Sequence, residues 1–238
     1  MSLTNLPDRS ELPAISSQFD GADPLDILRW AVDTYGTCLT MATAFGVEGC
    51  VLMDMLSRLG SDARLVHIFN LDTGYQFKET LELREKIQAR YGFQIELISA
   101  KESREQMEAR FGGPIYGSQP DECCRIRKVV PLKETLEGYG AWLSAIRRDQ
   151  TKTRANHDLI QWDNKYDLAK ISPLGNWTRE DVWSYVRTHN VDYNPLHDQG
   201  YPSIGCQPCT RPVQEGENER AGRWSGTAKT ECGLHFQI

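Results

Sequence analysis

Short apolar segments alternate with amphipathic helical segments along most of this 238-residue chain. Runs of four to eight apolar residues suit buried strands, and the longer stretches between them repeat their hydrophobic residues at helical spacing. This alternation favours βαβ units, in which parallel strands form a sheet whose two faces are covered by helices. We therefore expect an α/β fold with a mostly parallel sheet.

The pattern predicts five strands and four principal helices. The strands are predicted at 38–43, 64–71, 93–98, 141–146 and 166–171. The first helix is expected to begin at Asp23-Pro24, and the others are expected at 48–59, 76–91 and 121–136. Pro131 is expected to kink or break the last of these, because proline removes a backbone donor inside a helix.

The sequence divides into three regions. Residues 1–22 are polar and interrupted by two prolines, which is typical of a loose arm or a short helical lead-in. Residues 23–193 form the predicted α/β domain. Residues 194–238 are rich in glycine, proline and charge with little periodicity, so a loop-rich C-terminal segment is predicted there.

Composition excludes several classes of protein. The net charge of −6 argues against general binding to nucleic acid. No apolar stretch is long enough to cross a membrane, and the first residues show no secretory signal, so we expect a cytoplasmic location without membrane attachment. In such a compartment the seven cysteines favour metal binding or catalysis over disulfides.

Two cysteine pairs are the strongest chemical signal. Cys123 and Cys124 are adjacent, and Cys206 and Cys209 are separated by two residues. An adjacent pair suits a compact tetrahedral zinc poorly, whereas an iron–sulfur cluster takes each thiolate at a different iron. A thioredoxin-like redox pair is a third interpretation, although it leaves Cys123 and Cys124 unexplained. The spacing alone favours a cluster and leaves zinc and redox chemistry open.

The loops after the predicted strands are the expected ligand site, because parallel sheets bind ligands beyond the carboxyl ends of their strands. Neither a phosphate-binding P-loop nor a dinucleotide-binding glycine motif is present. The small-residue turn at 43–48 and the turn at 71–74 are candidates for nucleotide contacts. The basic loop at 147–154 is a candidate anion site, since it carries three arginines and one lysine.

Three motifs resemble assimilatory adenylyl sulfate reductases, which are grouped with the phosphoadenylyl sulfate reductases. They are the two cysteine pairs, the Arg-Arg-Asp-Gln-Thr-x-x-Arg loop at 147–154, and the sequence Glu-Cys-Gly-Leu-His at 231–235. The resemblance extends from about Thr37 to the C-terminus. In one departure, Ala44 stands where relatives usually carry serine, which removes one hydroxyl from the first nucleotide loop.

The resemblance implies an adenine nucleotide alpha hydrolase-like fold and the reduction of adenylyl sulfate to sulfite and AMP by thioredoxin. It implies one 4Fe-4S cluster per subunit held by Cys123, Cys124, Cys206 and Cys209. Cys232 would be the nucleophile and would form an S-sulfonate intermediate. We also expect a homo-oligomer. The resemblance implies that Lys128, Arg220 and Arg223 contact the substrate. The loops after the predicted strands add Gly46, Leu71, Arg147 and Arg154 as expected substrate-binding residues.

Other functions fit part of the same pattern. A reductase acting on 3′-phosphoadenylyl sulfate would share most of these residues. A cluster-bearing tRNA thiolation enzyme of the ATP-pyrophosphatase fold should show Ser-Gly-Gly-x-Asp-Ser after its first strand, and residues 43–48 lack that motif. The remaining alternative is an interaction module without enzymatic activity, stabilised by a structural zinc.

Overall fold

The computed structural model describes residues 6–235 and contains a six-stranded sheet. The strands run in the spatial order β3-β2-β1-β4-β6-β5. All neighbouring strands are parallel except β5, which pairs with β6 in the antiparallel sense. The predicted α/β fold with a mostly parallel sheet is therefore confirmed. The strands are Leu39–Ala42 (β1), His67–Asp72 (β2), Ile95–Ser99 (β3), Ala141–Leu143 (β4), Ile160–Asp163 (β5) and Leu168–Ile171 (β6).

In the described part of the chain, eight α-helical segments connect and flank these strands. They are Leu12–Gln18 (α1), Pro24–Tyr35 (α2), Val47–Arg58 (α3), Lys78–Tyr91 (α4), Arg104–Phe111 (α5), Pro120–Cys124 (α6), Val130–Leu136 (α7) and Arg179–His189 (α8). Short 3-10 turns occur at several connections, including Pro195–Gln199 and Gln207–Cys209 in the C-terminal segment. Within residues 6–235, no helix combines the length and the apolar character that crossing a bilayer requires.

Helices cover both faces of the sheet because successive strand residues point to opposite sides. On β4, Ala141 and Leu143 belong to the larger core, which also contains side chains of α2, α3, α4 and α8. Trp142 belongs to the smaller core on the other face, where Leu132 and Leu136 of α7 pack against it.

All five predicted strands are longer than the strands observed, and the structure explains the difference for the second and the fourth. The second begins at His67 rather than at residue 64, because Asp62–Leu65 forms a 3-10 turn. The fourth ends at Leu143 rather than at residue 146. Leu143 pairs with Met41 one residue before β1 ends, so the ladder between the two central strands stops there.

Three elements of the fold were not predicted. Strand β5 is short and half polar, and it forms a hairpin with β6 in which Asp167 adopts a positive φ of 60°. Helices α5 and α8 each begin with a reciprocal capping box, formed by Ser103 with Gln106 and by Thr178 with Asp181. These two caps are sequence signals that could have located both helices.

The helix predicted at 121–136 departs from regular α-helical geometry earlier than expected. Residues Arg125–Val129 form a π-helical turn between α6 and α7, whereas Pro131 lies in the first turn of α7. Residues 120–136 are helical without a break, so Pro131 does not end the helix. The irregularity therefore falls on the residues that follow Cys124 and include Lys128.

The N-terminal arm contains helix α1, in agreement with the helical interpretation of residues 1–22. Leu12 is fully buried in the larger core. The Ser16 hydroxyl accepts a hydrogen bond of 3.2 Å from the backbone N–H of Ile160, which fixes α1 against strand β5.

Candidate active site

A deep cleft opens where the strand order reverses, at the carboxyl ends of β1, β2 and β4. Its empty volume is about 1170 Å³, including its opening to solvent. The structure brings together at this cleft seven of the residues that the sequence assigned to substrate binding and catalysis. They are Gly46, Leu71, Lys128, Arg154, Arg220, Arg223 and Cys232.

Arg147 is the predicted substrate residue that does not line this cleft. Its side chain is 2% exposed and lines a neighbouring cavity. It forms an ion pair with Glu48 in the first turn of α3 and another of 2.9 Å with Asp149. These carboxylates draw the guanidinium away from the cleft, so Arg147 fixes the basic loop to α3.

The first loop of the cleft presents the N-terminus of α3. Gly46 is the N-cap residue, and no side chain caps the helix. Phe45 adopts a positive φ of 56°, and its N–H donates to the Thr43 hydroxyl at 3.1 Å. Uncapped N–H groups at a helix N-terminus favour a bound anion or polar ligand.

The loops after β1 and β2 are joined by amide side chains. Asn70 donates from Nδ2 to the carbonyl of Thr43 at 2.7 Å. Gln76 donates from Nε2 to Asn70 at 2.8 Å and to the carbonyl of Leu71 at 2.7 Å. These bonds hold Gly46 and Leu71 on one wall of the cleft without using charged groups.

The four paired cysteines line a second cavity next to the cleft. Cys123 and Cys124 come from α6, and Cys206 and Cys209 from the C-terminal segment. The segment is held there by a hydrogen bond of 2.8 Å between the Gln207 N–H and the Tyr75 carbonyl.

The pKa values of the thiols in this cavity depend on the charges of neighbouring cysteines. Burial raises the pKa of Cys123 to about 12, and the charges of the three other cysteines add to the shift. Burial and the charge of Cys206 raise the pKa of Cys209 to about 11. Burial also opposes ionisation of Cys206, but Lys128 and Thr73 outweigh it and lower the pKa of that thiol. If all four thiols were ionised, a bound cation would therefore be needed to offset their negative charge.

The same thiols do not converge on one point. Among residues 6–235, no three His, Cys, Asp or Glu side chains are grouped closely enough to hold a single metal ion. Four cysteines that line one cavity from two segments fit a polynuclear cluster, which binds each thiolate at a different iron.

Lys128 connects the two cavities. It lies in the π-helical turn after Cys124 and lines both the cleft and the cysteine cavity. Burial would lower its pKa, but the charges of Cys206, Cys124 and Cys232 outweigh burial and raise the pKa above its usual value. Lys128 therefore remains protonated beside both the paired cysteines and Cys232.

The last described residues close one side of the cleft. The Glu231 carboxylate lies 2.9 Å from Nη2 of Arg154 and 3.1 Å from Nη2 of Arg220. The ring of His235 stacks on Trp142 with 5.3 Å between centroids. Burial, together with Lys170 and Arg154, keeps the pKa of His235 well below its usual value, so its ring is neutral.

Comparison with known proteins identifies the family. The family model described as the phosphoadenosine phosphosulfate reductase domain matches residues 38–212. "Adenosine 5′-phosphosulfate reductase 2" of Bacillus subtilis is 48% identical over 214 residues, which cover 90% of this chain and 89% of the relative. The chain belongs to the phosphoadenosine phosphosulfate reductase family. The family resemblance expected from the sequence is thus confirmed.

Further members of this reductase family agree in sequence and in fold. The adenosine 5′-phosphosulfate reductase of Halalkalibacterium halodurans is 46% identical, with 93% of this chain and 95% of the relative covered. The crystal structure of phosphoadenylyl-sulfate reductase from Candida auris superposes with a TM-score of 0.75 at 29% identity, covering 85% of this chain and 97% of that one.

A Candida glabrata FMN adenylyltransferase, at 16% identity and a TM-score of 0.59, shares the fold alone.

Sequence reasoning missed several residues that shape this reductase site. Asn70, Gln76 and Trp142 were not assigned to it, although all three line the cleft. Glu231 was noted only as part of a motif. Its position directly before Cys232 was the available signal, because an acidic residue beside a cationic cleft is expected to pair with the arginines.

Proposed function

We propose that the chain reduces adenylyl sulfate to sulfite and AMP, with thioredoxin as the electron donor, in assimilatory sulfate reduction. The observation that carries this proposal is the placement of Cys232 in one cleft with Lys128, Arg154, Arg220 and Arg223. Relatives with 45–48% identity are named for adenosine 5′-phosphosulfate, which favours this substrate over its 3′-phosphorylated form.

The cations of the cleft meet the main electrostatic demand of the reaction. A thiolate and a sulfuryl group are both negatively charged, and two unit charges 4 Å apart repel by about 4 kcal/mol at an effective dielectric constant of 20. Lys128 carries its charge next to Cys232. The arginines can bind the phosphate and sulfuryl oxygens of the substrate.

In the first step, the Cys232 thiolate attacks the sulfur of the sulfuryl group. A sulfur–sulfur bond forms while the bond from sulfur to the AMP phosphate oxygen breaks, and its electron pair leaves with AMP. The enzyme then carries an S-sulfonate on Cys232. Lys128 and the arginines stabilise the negative charge that gathers on the transferred oxygens.

In the second step, one thiolate of thioredoxin attacks the Cys232 sulfur and expels sulfite. The second thioredoxin thiol resolves the mixed disulfide, so the thioredoxin dithiol is oxidised and the sulfuryl sulfur gains two electrons. Thioredoxin and seven cysteines without disulfides favour a reducing compartment, the cytoplasm, for this activity.

We assign Cys123, Cys124, Cys206 and Cys209 as the ligands of one 4Fe-4S cluster. The shared cavity and the mutual effect of the four thiols support the assignment. When bound, the cluster would carry charge beside Lys128 and tie α6 to the C-terminal segment. Lys128 would keep its ammonium group between this charge and the substrate.

A single-turnover experiment tests the reaction and its nucleophile together. Incubation with adenylyl sulfate and no thioredoxin should release one AMP per active chain, then stop. Mass spectrometry should find a sulfonate, about 80 Da, on the C-terminal peptide, and reduced thioredoxin should release it as sulfite. Cys232→Ser should lose adduct and turnover, while Cys38→Ala, a core substitution away from the cleft, should keep both. Turnover by Cys232→Ser, or an adduct on another cysteine, would refute the assignment.

A further inference from the structure

The segment 229–235, here named the tail, is fixed to the body of the protein at four alternate residues. The ammonium of Lys229 contacts Asp121 of α6, and Lys165, in the turn between β5 and β6, donates to the carbonyl of Gly233. His235 stacks on Trp142 of β4. Glu231 pairs with two arginines. The tail therefore lies along the cleft, and Cys232 lies within it.

The ion pairs of Glu231 are largely buried on both sides, whereas Asp121, the partner of Lys229, is 66% exposed. The side chain of Glu231 is 13% exposed, and those of Arg154 and Arg220 are 7% and 17% exposed. Both carboxylate oxygens lie within 3.1 Å of Nη2 of Arg154. Arg220 also donates to the carbonyl of Thr230 at 3.0 Å. Charge-assisted bonds in such a poorly solvated place are stronger than neutral ones.

The two arginines come from different parts of the chain. Arg154 belongs to the basic loop after β4, and Arg220 belongs to the C-terminal segment that follows Cys209. A carboxylate between them brings three segments together beside Cys232. Removing its charge would leave two nearly buried guanidinium groups without this shared partner, which favours conformations with the tail displaced.

We propose that Glu231 is the positioning residue that holds Cys232 in the cleft through Arg154 and Arg220. The inference rests on the proposed function, since it assigns to Cys232 the role of nucleophile. Glu231 itself takes no part in bond making. Its carboxylate holds the tail in the arrangement in which the Cys232 thiol faces Lys128 and the substrate.

The test compares Glu231→Gln with Glu217→Gln. Glu217 lies in the same C-terminal segment and forms a two-point pair with Arg211, but it is not among the residues that line the cleft. Trypsin cleavage after Lys229 and alkylation of Cys232 by iodoacetamide, each followed by mass spectrometry, measure how often the tail is displaced. The trypsin readout is needed because loss of a nearby negative charge also changes thiol reactivity.

We expect Glu231→Gln to increase both rates at least fivefold and to lower kcat at least tenfold. Its dissociation constant for AMP should remain within threefold of the wild-type value, and Glu231→Asp should recover part of the kcat. Glu217→Gln should behave as the wild type. Unchanged cleavage in Glu231→Gln would overturn the proposal. A loss of AMP affinity without faster cleavage would also overturn it, because that result assigns Glu231 to the substrate site.

The cleavage, alkylation and AMP-binding measurements need no turnover. A wild-type protein that makes no sulfite would therefore refute the proposed function while the tail measurements still decide the role of Glu231.

Discussion

The hydroxyl oxygen of Thr73 lies 3.3 Å from the sulfur of Cys206, which stands 133 residues later in the chain. The contact joins the carboxyl end of β2, which forms one wall of the substrate cleft, to the C-terminal segment. The candidate cluster site and the candidate substrate site thus share one structural wall. Changes in one site are expected to reach the other through this contact and through Lys128.

Removal of one paired cysteine should remove the metal. Anaerobically purified protein should contain about four iron atoms and four acid-labile sulfides per chain, and Cys206→Ser should lose most of both. Protease cleavage within the C-terminal segment should also accelerate, because a bound cluster ties this segment to α6. Cys38→Ala is the control, since Cys38 lies in the core by β1. Stoichiometric zinc without sulfide would contradict the cluster assignment.

The unphosphorylated nucleotide should be the better substrate. With the cluster intact and thioredoxin present, kcat/KM for adenylyl sulfate should exceed the value for its 3′-phosphorylated form by tenfold or more. Sulfite release from each nucleotide measures the ratio. An equal or reversed ratio would leave the family unchanged and show that the substrate assignment is wrong.

A methyl group added at Gly205 should displace the guanidinium of Arg223, one of the cations proposed to bind the substrate. A Cβ added at Gly205 would lie 2.3 Å from Nη2 of Arg223, so Gly205→Ala should move this guanidinium away from its present position. The side chain of arginine is flexible, and stability should therefore change little. KM should rise about tenfold, the scale of one charge-assisted contact. Gly117→Ala is the control because the space around Gly117 is open. An unchanged KM in Gly205→Ala would show that Arg223 does not bind the substrate in this position.

The buried carboxylate of Asp54 should contribute more to the free energy of unfolding than an exposed carboxylate does. Asp54 is 3% exposed and is bonded by Arg58 at 2.7 Å, Tyr185 at 2.7 Å and Tyr91 at 3.0 Å. Asp54→Asn should lower the free energy of unfolding by about 2–4 kcal/mol. The exposed pair of Asp26 with Arg29 is the control, and Asp26→Asn should cost less than about 0.5 kcal/mol. Equal effects in urea unfolding would contradict the role assigned to this network.

Burial of neutral His197 should make the protein less stable in mild acid. Burial lowers the pKa of His197 to about 4, whereas the unfolded side chain titrates near 6.5. Its contribution is therefore fully present above pH 6.5 and is lost as the pH falls toward 4, because the unfolded chain takes up the proton first. The loss is about 3 kcal/mol by pH 4. His197→Gln should flatten the slope of the unfolding free energy between pH 6.5 and 4.5, and an unchanged slope would refute this account.

Local sequence patterns were sufficient for the class of fold and for the residues with distinctive chemistry. The strand at Leu39–Ala42 and the helix at Lys78–Tyr91 follow from apolar runs and helical periodicity, because these express burial on a sheet or on one helix face. The motif around Cys232 and the two cysteine pairs could be recognised because cysteines at close spacing in a chain without an export signal have few chemical roles.

The tertiary structure alone decided which charges face the cleft. Arg147 and Arg154 belong to one basic loop, yet Glu48 draws the first away while Glu231 holds the second at the cleft. The end of β4 and the π-helical turn that contains Lys128 likewise involve distant partners, since β4 pairs with β1 and Arg127 donates to the carbonyl of Thr73. Sequence patterns reflect the preferences of neighbouring residues, whereas the orientation of a long charged side chain depends on which opposite charge the folded chain brings to it. For this reason the chemical identity of the site could be predicted from the sequence, and its electrostatic arrangement could not.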